Sequence, residues 1–190
     1  MIYFCRKTIE KQEKHTKQTE NARELLLAGL RLEYGIERLP VIAASELGKP
    51  YFPEMPQIFF NYSHCREGIL CGISSTPIGV DMETVRDYKG PLVKRVCHEQ
   101  EASLLQEAAQ KNRMLTRIWV AKEAYLKYLG TGIRSDMRLL DMSAAVRQDK
   151  FTYGGCFLRL WEQEEICMCA CTEAPYRGAL TQLELSLIHI

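Results

Sequence analysis

The 190-residue sequence carries almost no excess charge of either sign and no long apolar run. Its 25 Lys and Arg side chains oppose 24 Asp and Glu side chains, for a formal net charge of +1, so nothing in the charge balance points to nucleic acid or to an anionic membrane. Residues 1–23 soon become a charged run without the apolar stretch of a signal peptide, and no segment is long enough to cross a bilayer. We therefore expect a cytoplasmic protein that binds neither nucleic acid nor membrane.

Several common catalytic and nucleotide-binding motifs are also missing. The sequence has no Walker-type glycine-rich loop and no Gly-x-Gly-x-x-Gly fingerprint, which removes the usual nucleotide and dinucleotide folds. It has no Gly-x-Ser-x-Gly elbow, and the side chains of neighbouring Ser63 and His64 point in opposite directions on an extended strand, which argues against a serine hydrolase. At a strand end, however, both side chains can donate to phosphate oxygens, although a lone histidine there is more often a surface residue.

Cysteine, by contrast, is plentiful, with eight residues scattered along the chain. Without a secretory signal we predict that they are reduced thiols. Cys167, Cys169 and Cys171 alternate with other residues, whereas zinc sites usually separate paired ligands by two or more residues. Because alternate residues of a strand share one face, we predict that these three are small buried hydrophobes.

Hydrophobic periodicity predicts a mixture of helices and strands in the order helix, strands, helix, strands. The predicted helices are residues 21–32, 92–109 and 112–129. The predicted strands are residues 58–62, 69–74, 78–85, 139–145, 153–161, 166–171 and 179–186, and the Gly- and Pro-rich segment 47–56 is predicted as an ordered loop. The repeated order predicts two halves, residues 1–76 and 77–190, related by a structural rather than a visible sequence duplication.

A first candidate for chemistry is the segment Gly79-Val80-Asp81-Met82-Glu83. Extended backbone would point Asp81 and Glu83 to one side, and two carboxylates with phosphate oxygens suit Mg²⁺. Taken alone, an Asp-x-Glu pair is more commonly a solvated strand face.

A second candidate is a stripe of the third predicted helix that contains Trp119, Lys122, Glu123 and Lys127. The stripe adjoins the apolar face of the helix, where a cleft wall would lie. The ordinary alternative is a surface salt bridge between Glu123 and Lys127, which are spaced i, i+4 in the favourable order.

Taken together and in order, the motifs resemble the Sfp-type 4'-phosphopantetheinyl transferases. The three main motifs are Asn61-Tyr62-Ser63-His64, Gly79-Val80-Asp81-Met82-Glu83 and Trp119-x-x-Lys122-Glu123-x-x-x-Lys127. Gly48-Lys49-Pro50, Pro77-Ile78 and Gly130-x-Gly132 extend the resemblance, which covers roughly residues 14–133. It implies an α+β fold, a pseudo-twofold pair of similar α/β halves with the active site between them.

The resemblance implies a holo-[carrier-protein] synthase that moves the 4'-phosphopantetheine group of coenzyme A onto a serine of an acyl or peptidyl carrier protein. Coenzyme A would be the co-substrate, adenosine 3',5'-bisphosphate the released product and the enzyme a monomer. Mg²⁺ would be the cofactor, held by Asp81, Glu83 and Glu123. The base would be Glu123 or a metal-bound water.

The resemblance also implies contacts to coenzyme A. Lys122 and Lys127 would neutralise the pyrophosphate and, with Glu123, form the catalytic set. Ser63 and His64 would approach the 3'-phosphate end. Lys49 would lie beside the adenine or its phosphate.

Two further surfaces are expected to be basic. The family commonly has a longer N-terminal segment that helps to grip the nucleotide, and in this sequence only four residues could stand in for it: Lys11, Lys14, Lys17 and Arg23. Lys94 and Arg95 would meet a carrier that is acidic around its serine. Two alternatives stay open: a non-catalytic paralogue that binds coenzyme A or a carrier, and a plain interaction domain whose motifs are coincidental.

Overall fold

The computed structural model describes residues 1–7, 15–88, 90–132 and 136–184. The first half contains one long helix and five strands: β1 (Ile2–Arg6), α1 (His15–Tyr34), β2 (Ala43–Ala44), β3 (Pro50–Tyr51), β4 (Phe59–Cys65) and β5 (Gly68–Ser74). The second half contains three helices and five strands: β6 (Ile78–Thr84), α2 (Gly90–Val96), α3 (Glu99–Glu107), α4 (Lys111–Leu129), β7 (Lys150–Tyr153), β8 (Cys156–Gln163), β9 (Ile166–Thr172) and β10 (Leu180–Gln182).

The two halves repeat one strand order. In the first half β1 pairs with β5, and β5 pairs with β4; in the second half β6 pairs with β9, and β9 pairs with β8. All of these pairs are antiparallel. In each half, the strand that precedes the helical segment pairs with the second strand of the hairpin that follows it. This repetition confirms the expected α+β fold of two similar halves. Strands β7 and β10 extend the sheets beyond this repeat: β7 pairs antiparallel with β8, and β10 pairs in parallel with β1, with Ile2 opposite Leu180.

The layers follow from which face of each strand is apolar. On the outer face of the first sheet, α1 packs through Leu25, Leu26 and Leu30 against Phe60 and Ile73. The inner faces of the two sheets pack against each other through a cluster that contains Ile2, Phe4, Leu70, Val80, Met82, Met168 and Ala170. On the outer face of the second sheet lies α4. The result is a helix, two sheets and a helix in four layers.

Strand β9 is buried on both faces. Cys167, Cys169 and Cys171 point toward α4, while Met168 and Ala170 point toward the first sheet. This confirms the prediction that the alternating cysteines are core residues. All eight cysteines lie in the described residues, and each is a buried thiol.

The predicted strand at residues 139–145 is wrong. Two 3₁₀ turns, Met137–Leu139 and Ser143–Val146, occupy this region. The carboxylates of Asp136 and Asp141 accept hydrogen bonds from backbone N–H groups two residues ahead, at 3.0 and 2.9 Å. Such local bonds offer the backbone an alternative to a strand ladder.

The predicted helix at residues 92–109 is also wrong as a single element, because the chain breaks between α2 and α3. His98 caps α3: its Nδ1 accepts a hydrogen bond from the Gln100 N–H at 3.3 Å, and its own N–H donates to Glu101 at 2.8 Å. This capping box starts a new helix. Strands β1, β2, β3 and β7 were not predicted, and β3 lies within the segment predicted as a loop. Of the strand predicted at residues 179–186 the structure shows β10, while residues 185 and 186 lie outside the described part.

Candidate active site

Gly79 brings β6 into direct contact with the backbone of α4. A Cβ atom at this position would lie 2.8 Å from the Cα of Tyr128, and closer still to the carbonyl oxygen of Ala124 and the amide nitrogen of Tyr128. Only glycine fits such an approach. Because side chains alternate along a strand, Asp81 then points toward α4, while Val80 points toward the first sheet. Their placement on opposite faces agrees with the predicted alternation.

Asp81 is the centre of a polar cluster that both halves of the protein build. The residue is 5% exposed, and its Oδ1 accepts hydrogen bonds from the Ser63 hydroxyl and the Lys127 ammonium, each at 2.7 Å. One position further back, the N–H of Val80 donates to Asn61 Oδ1 at 2.9 Å, which ties β6 to β4. The buried charge of Asp81 is therefore compensated by a hydroxyl from the first half and a cation from α4.

Glu123 lies beside Asp81 and is 6% exposed. Its Oε1 is buried and has no hydrogen-bond partner in the part of the chain that the structure describes. The pKa of Glu123 is raised to about 7, chiefly by burial and also by the charge of Asp81, while Lys127 works against the rise. A buried carboxylate next to a second one, with an oxygen left unsatisfied, has the donor chemistry of a site for a hard cation.

Glu83 shares the strand face of Asp81, but its carboxylate turns to Arg86, whose Nη2 lies 3.2 Å away. Its other oxygen accepts a hydrogen bond from the Thr84 N–H at 3.0 Å. Burial raises the pKa of Glu83, and Arg86 partly offsets this rise. Across residues 1–7, 15–88, 90–132 and 136–184, no three His, Cys, Asp or Glu side chains are gathered as a metal-binding group. The expected set of three carboxylates is thus not assembled: Asp81 and Glu123 fit a Mg²⁺ half-site, and Glu83 is paired elsewhere.

The expected contact between Lys122 and a pyrophosphate is contradicted by the structure. Lys122 is fully buried, and its ammonium donates to Glu101 Oε2 at 2.6 Å and to the carbonyl oxygens of Val96 and Met137 at 2.7 and 2.9 Å. These three acceptors use all the donors that a lysine has. Successive helix residues are turned by about 100°, so Lys122 faces α2 and α3 while Glu123 faces β6.

Glu101, the buried partner of Lys122, was missed by the sequence analysis. It joins the ammonium of Lys122 to the start of α3 and also accepts a hydrogen bond from the Met142 N–H at 2.6 Å. Burial raises the pKa of Glu101, and the ion pair with Lys122 works against that rise. The signal that could have identified Glu101 is its spacing from His98, three residues apart at a helix start, which is typical of a capping box.

A pocket of about 450 Å³ lies beside the polar cluster, at the C-terminal end of α4. Its basic lining residues are Arg23, Lys49 and Lys127. The ammonium of Lys49 donates to the carbonyl oxygen of Tyr128 at 2.6 Å, and burial lowers the pKa of Lys49. Gly130, with φ +75°, leaves room for the Lys49 side chain, whose Cδ would lie 3.1 Å from an added Cβ. This contact brings the Gly48-Lys49-Pro50 segment against the Gly130-x-Gly132 segment.

The remaining predicted residues lie apart from the polar cluster. His64 occupies the same face of β4 as Phe60 and Tyr62, the face that packs against α1, whereas Ser63 faces β6. Lys17 is exposed on α1, and Arg23 reaches the pocket. Lys11 and Lys14 lie outside the described residues.

A larger cavity, of about 990 Å³, lies between the loop after β6 and helices α2, α3 and α4. Val93, Leu105 and Leu115 contribute apolar surface, and Lys94 and Lys111 line it as well. Arg95 is exposed on the last turn of α2. Asp87 and Glu165 also line the cavity, so its apolar surface is bordered by charges of both signs.

None of the described helices combines the length and the apolar character needed to span a membrane.

Comparison with known proteins gives one family. A family model for the 4'-phosphopantetheinyl transferase superfamily matches residues 77–178, a range that contains β6 and α4. A 4'-phosphopantetheinyl transferase of Bacillus subtilis is 28% identical over 182 residues, 90% of this chain and 80% of the relative. The 4'-phosphopantetheinyl transferase Sfp of Bacillus subtilis (strain 168) is 24% identical over 179 residues, 87% of this chain and 78% of the relative.

A third relative has a higher sequence identity over a shorter alignment. The 4'-phosphopantetheinyl transferase gsp of Aneurinibacillus migulanus is 34% identical over 91 residues, 47% of this chain and 38% of the relative. Among solved structures, the holo-[acyl-carrier-protein] synthase of Thermotoga maritima matches with a TM-score of 0.40 and 15% identity. That match spans 50% of this chain and 61% of the other.

Proposed function

The chain belongs to the 4'-phosphopantetheinyl transferase superfamily, and from this premise we propose that it transfers the 4'-phosphopantetheine group of coenzyme A to a serine of a carrier protein. The serine oxygen attacks the β-phosphorus and forms a new O–P bond. The bond from that phosphorus to the bridging oxygen breaks, and adenosine 3',5'-bisphosphate leaves. The observation that supports this function best is the cluster of Asp81, Glu123 and Lys127 where β6 meets α4.

Charge neutralisation is the main task of the proposed site. Lys127 is part-buried beside Asp81, so its ammonium is held in place where a pyrophosphate would bring negative charge. Asp81 and Glu123 would hold Mg²⁺, with Glu83 as a third ligand, and the bound ion would supply further positive charge to the phosphate oxygens. Glu123 is also the residue of this cluster that we propose to accept the proton of the serine hydroxyl.

The nucleotide end of coenzyme A is proposed to enter the pocket at the end of α4. Arg23 and Lys49 line this pocket, and Lys127 connects it to the carboxylates. The contact of Ser63 and His64 with the 3'-phosphate stays a prediction. The hydroxyl of Ser63 donates to Asp81 and would have to leave it to donate to a phosphate.

The carrier protein is proposed to dock at the cavity between α2, α3 and α4. Lys94, Lys111 and Arg95 would meet acidic residues around the carrier serine. Eight buried thiols suit a reducing compartment, and on that ground we infer a cytoplasmic enzyme. That it acts as a monomer is a separate proposal, which comes from the family resemblance. The non-catalytic alternative gains no support, because Asp81, Glu123 and Lys127 are present and lie together.

Mass spectrometry of carrier proteins tests this function. Several apo-carriers are incubated with coenzyme A, MgCl₂ and the protein, and a phosphopantetheine mass gain on the carrier serine is expected. A known transferase serves as the positive control for each carrier. If that control modifies every carrier while this protein modifies none, the proposed function is wrong.

A further inference from the structure

Glu83 shares the strand face of Asp81, but its carboxylate forms an ion pair with the guanidinium of Arg86. Its carboxylate is 3.2 Å from the Arg86 guanidinium, and its second oxygen accepts the Thr84 N–H. The Glu83 side chain is 22% exposed and that of Arg86 is 62% exposed. The pair therefore lies at the edge of the site, where side chains can rearrange without disturbing the core.

Arg86 has a second partner that does not depend on Glu83. Its guanidinium lies 5.5 Å from the centre of the Tyr88 ring, and the Tyr88 hydroxyl accepts a hydrogen bond from Thr116 on α4 at 3.3 Å. A guanidinium over an aromatic ring is held by a cation–π interaction. Release from Glu83 would leave Arg86 over a fixed ring rather than without a partner.

We propose that Arg86 competes with Mg²⁺ for the carboxylate of Glu83 and so sets how tightly the protein binds this ion. The inference rests on the proposed function, from which the magnesium ion comes. Arg86 engages one oxygen of Glu83 and the Thr84 N–H engages the other. A guanidinium repels a metal ion brought to the same carboxylate, so binding of Mg²⁺ by Glu83 weakens or opens the ion pair. Glu83 would then join Asp81 and Glu123.

The size of the effect follows from the exposure of the pair. Ion pairs at the surface are weak, so opening this one lowers the affinity for Mg²⁺ only modestly. Removal of the guanidinium should tighten Mg²⁺ binding about two- to fivefold. The competition would matter most when the concentration of Mg²⁺ is close to its dissociation constant from the protein.

Isothermal titration calorimetry of MgCl₂ into the protein, saturated with coenzyme A and without any carrier, tests the inference. Arg86→Gln is expected to lower the dissociation constant of Mg²⁺ about two- to fivefold, whereas Arg86→Lys, which keeps the charge, stays near the wild type. The matched control is Arg138→Gln, which removes the same charge from another exposed ion pair, with Asp136. Thermal melting of each variant verifies that it is folded.

The outcomes separate the alternatives. Unchanged or weaker Mg²⁺ binding in Arg86→Gln overturns the inference, as does equal tightening in Arg138→Gln, which would show a general effect of charge. Absence of any Mg²⁺ binding to the wild type also overturns it. The calorimetry contains no carrier, so it is independent of the transfer assay. A protein that binds Mg²⁺ but modifies no carrier would contradict the proposed function alone. A working transferase in which Arg86→Gln leaves the affinity for Mg²⁺ unaltered would contradict this inference alone.

Discussion

Gly79 and Ala124 are in such close contact that the distance between β6 and α4 is set by the absence of a side chain at position 79. Asp81, two residues along the strand, and Lys127, three residues along the helix, form their ion pair at 2.7 Å because of this approach. The glycine is therefore a geometric requirement of the site, although it carries no functional group.

Gly79→Ala should damage both stability and transfer. The added methyl group would overlap the α4 backbone, which has no flexible side-chain end to yield, so we expect a loss of about 3 kcal/mol in the free energy of unfolding. The helix would shift and carry Lys127 away from Asp81. Urea denaturation and the carrier assay measure the two effects. The control is Gly90→Ala, because among the described residues, apart from its chain neighbours and its own helix backbone, no atom lies within 4 Å of a Cβ there. Wild-type stability and transfer in Gly79→Ala would contradict this prediction.

Glu123→Gln should reduce transfer at least about a hundredfold and leave the fold intact. The substitution removes a carboxylate from the half-site, while the unsatisfied Oε1 means that no hydrogen bond within the described protein is lost. Single-turnover transfer to an apo-carrier and thermal melting are the measurements. Glu107→Gln, at an exposed position on α3, is the matched control. Normal turnover in Glu123→Gln would favour the surface salt-bridge explanation of this helix.

The raised pKa of Glu123 should appear as a pH dependence of stability in the presence of a chelator. Between pH 4.5, its ordinary pKa, and about 7 the folded protein keeps the Glu123 proton that the unfolded chain has lost. The contribution of this group to stability therefore falls as pH rises through that range, by roughly 3 kcal/mol in all, and then levels off.

Denaturation of wild type and Glu123→Gln at several pH values isolates this effect. The two proteins should be about equally stable near pH 4.5, and the variant should become the more stable one above pH 7. A constant difference between them across the range would show that burial does not raise the pKa of Glu123.

Lys122→Met should unfold the protein more readily rather than act on coenzyme A directly. It leaves the buried Glu101 carboxylate without its cation, which typically costs about 3–5 kcal/mol. Adding Glu101→Gln removes that stranded charge and should recover most of the loss. Lys150→Met, on the exposed side of β7, is the control. Calorimetry measures coenzyme A binding. If Lys122→Met has normal stability but binds coenzyme A more weakly, the result would support the phosphate contact predicted from the sequence.

Periodicity was sufficient for the elements that bear the site. The alternation of residues 79–83 placed Asp81 and Glu83 on one face, and the helical spacing of residues 112–129 placed Glu123 and Lys127 together, as the structure shows. Local pattern decides such features, because each lies within one regular element.

Features that depend on distant partners were not predictable. Lys122 and Glu123 are neighbours in sequence, and only the packing of Glu101 from α3 decides that one faces the core and the other the site. The turn of Glu83 toward Arg86 depends on a loop whose course the pattern does not specify. The pairing of strand β1 needs β5 and β10, both of which lie far from it in the sequence.

The position of β10 restricts how related proteins could be recombined. Leu180–Gln182 belongs to the second half by sequence but to the first sheet by hydrogen bonding, and the Leu183 N–H also donates to the carbonyl oxygen of Phe4 at 2.8 Å. A chimera with one breakpoint between β5 and β6 would join β1 of one parent to β10 of another. Two breakpoints, the second between β9 and β10, would keep the strand with the sheet that it completes.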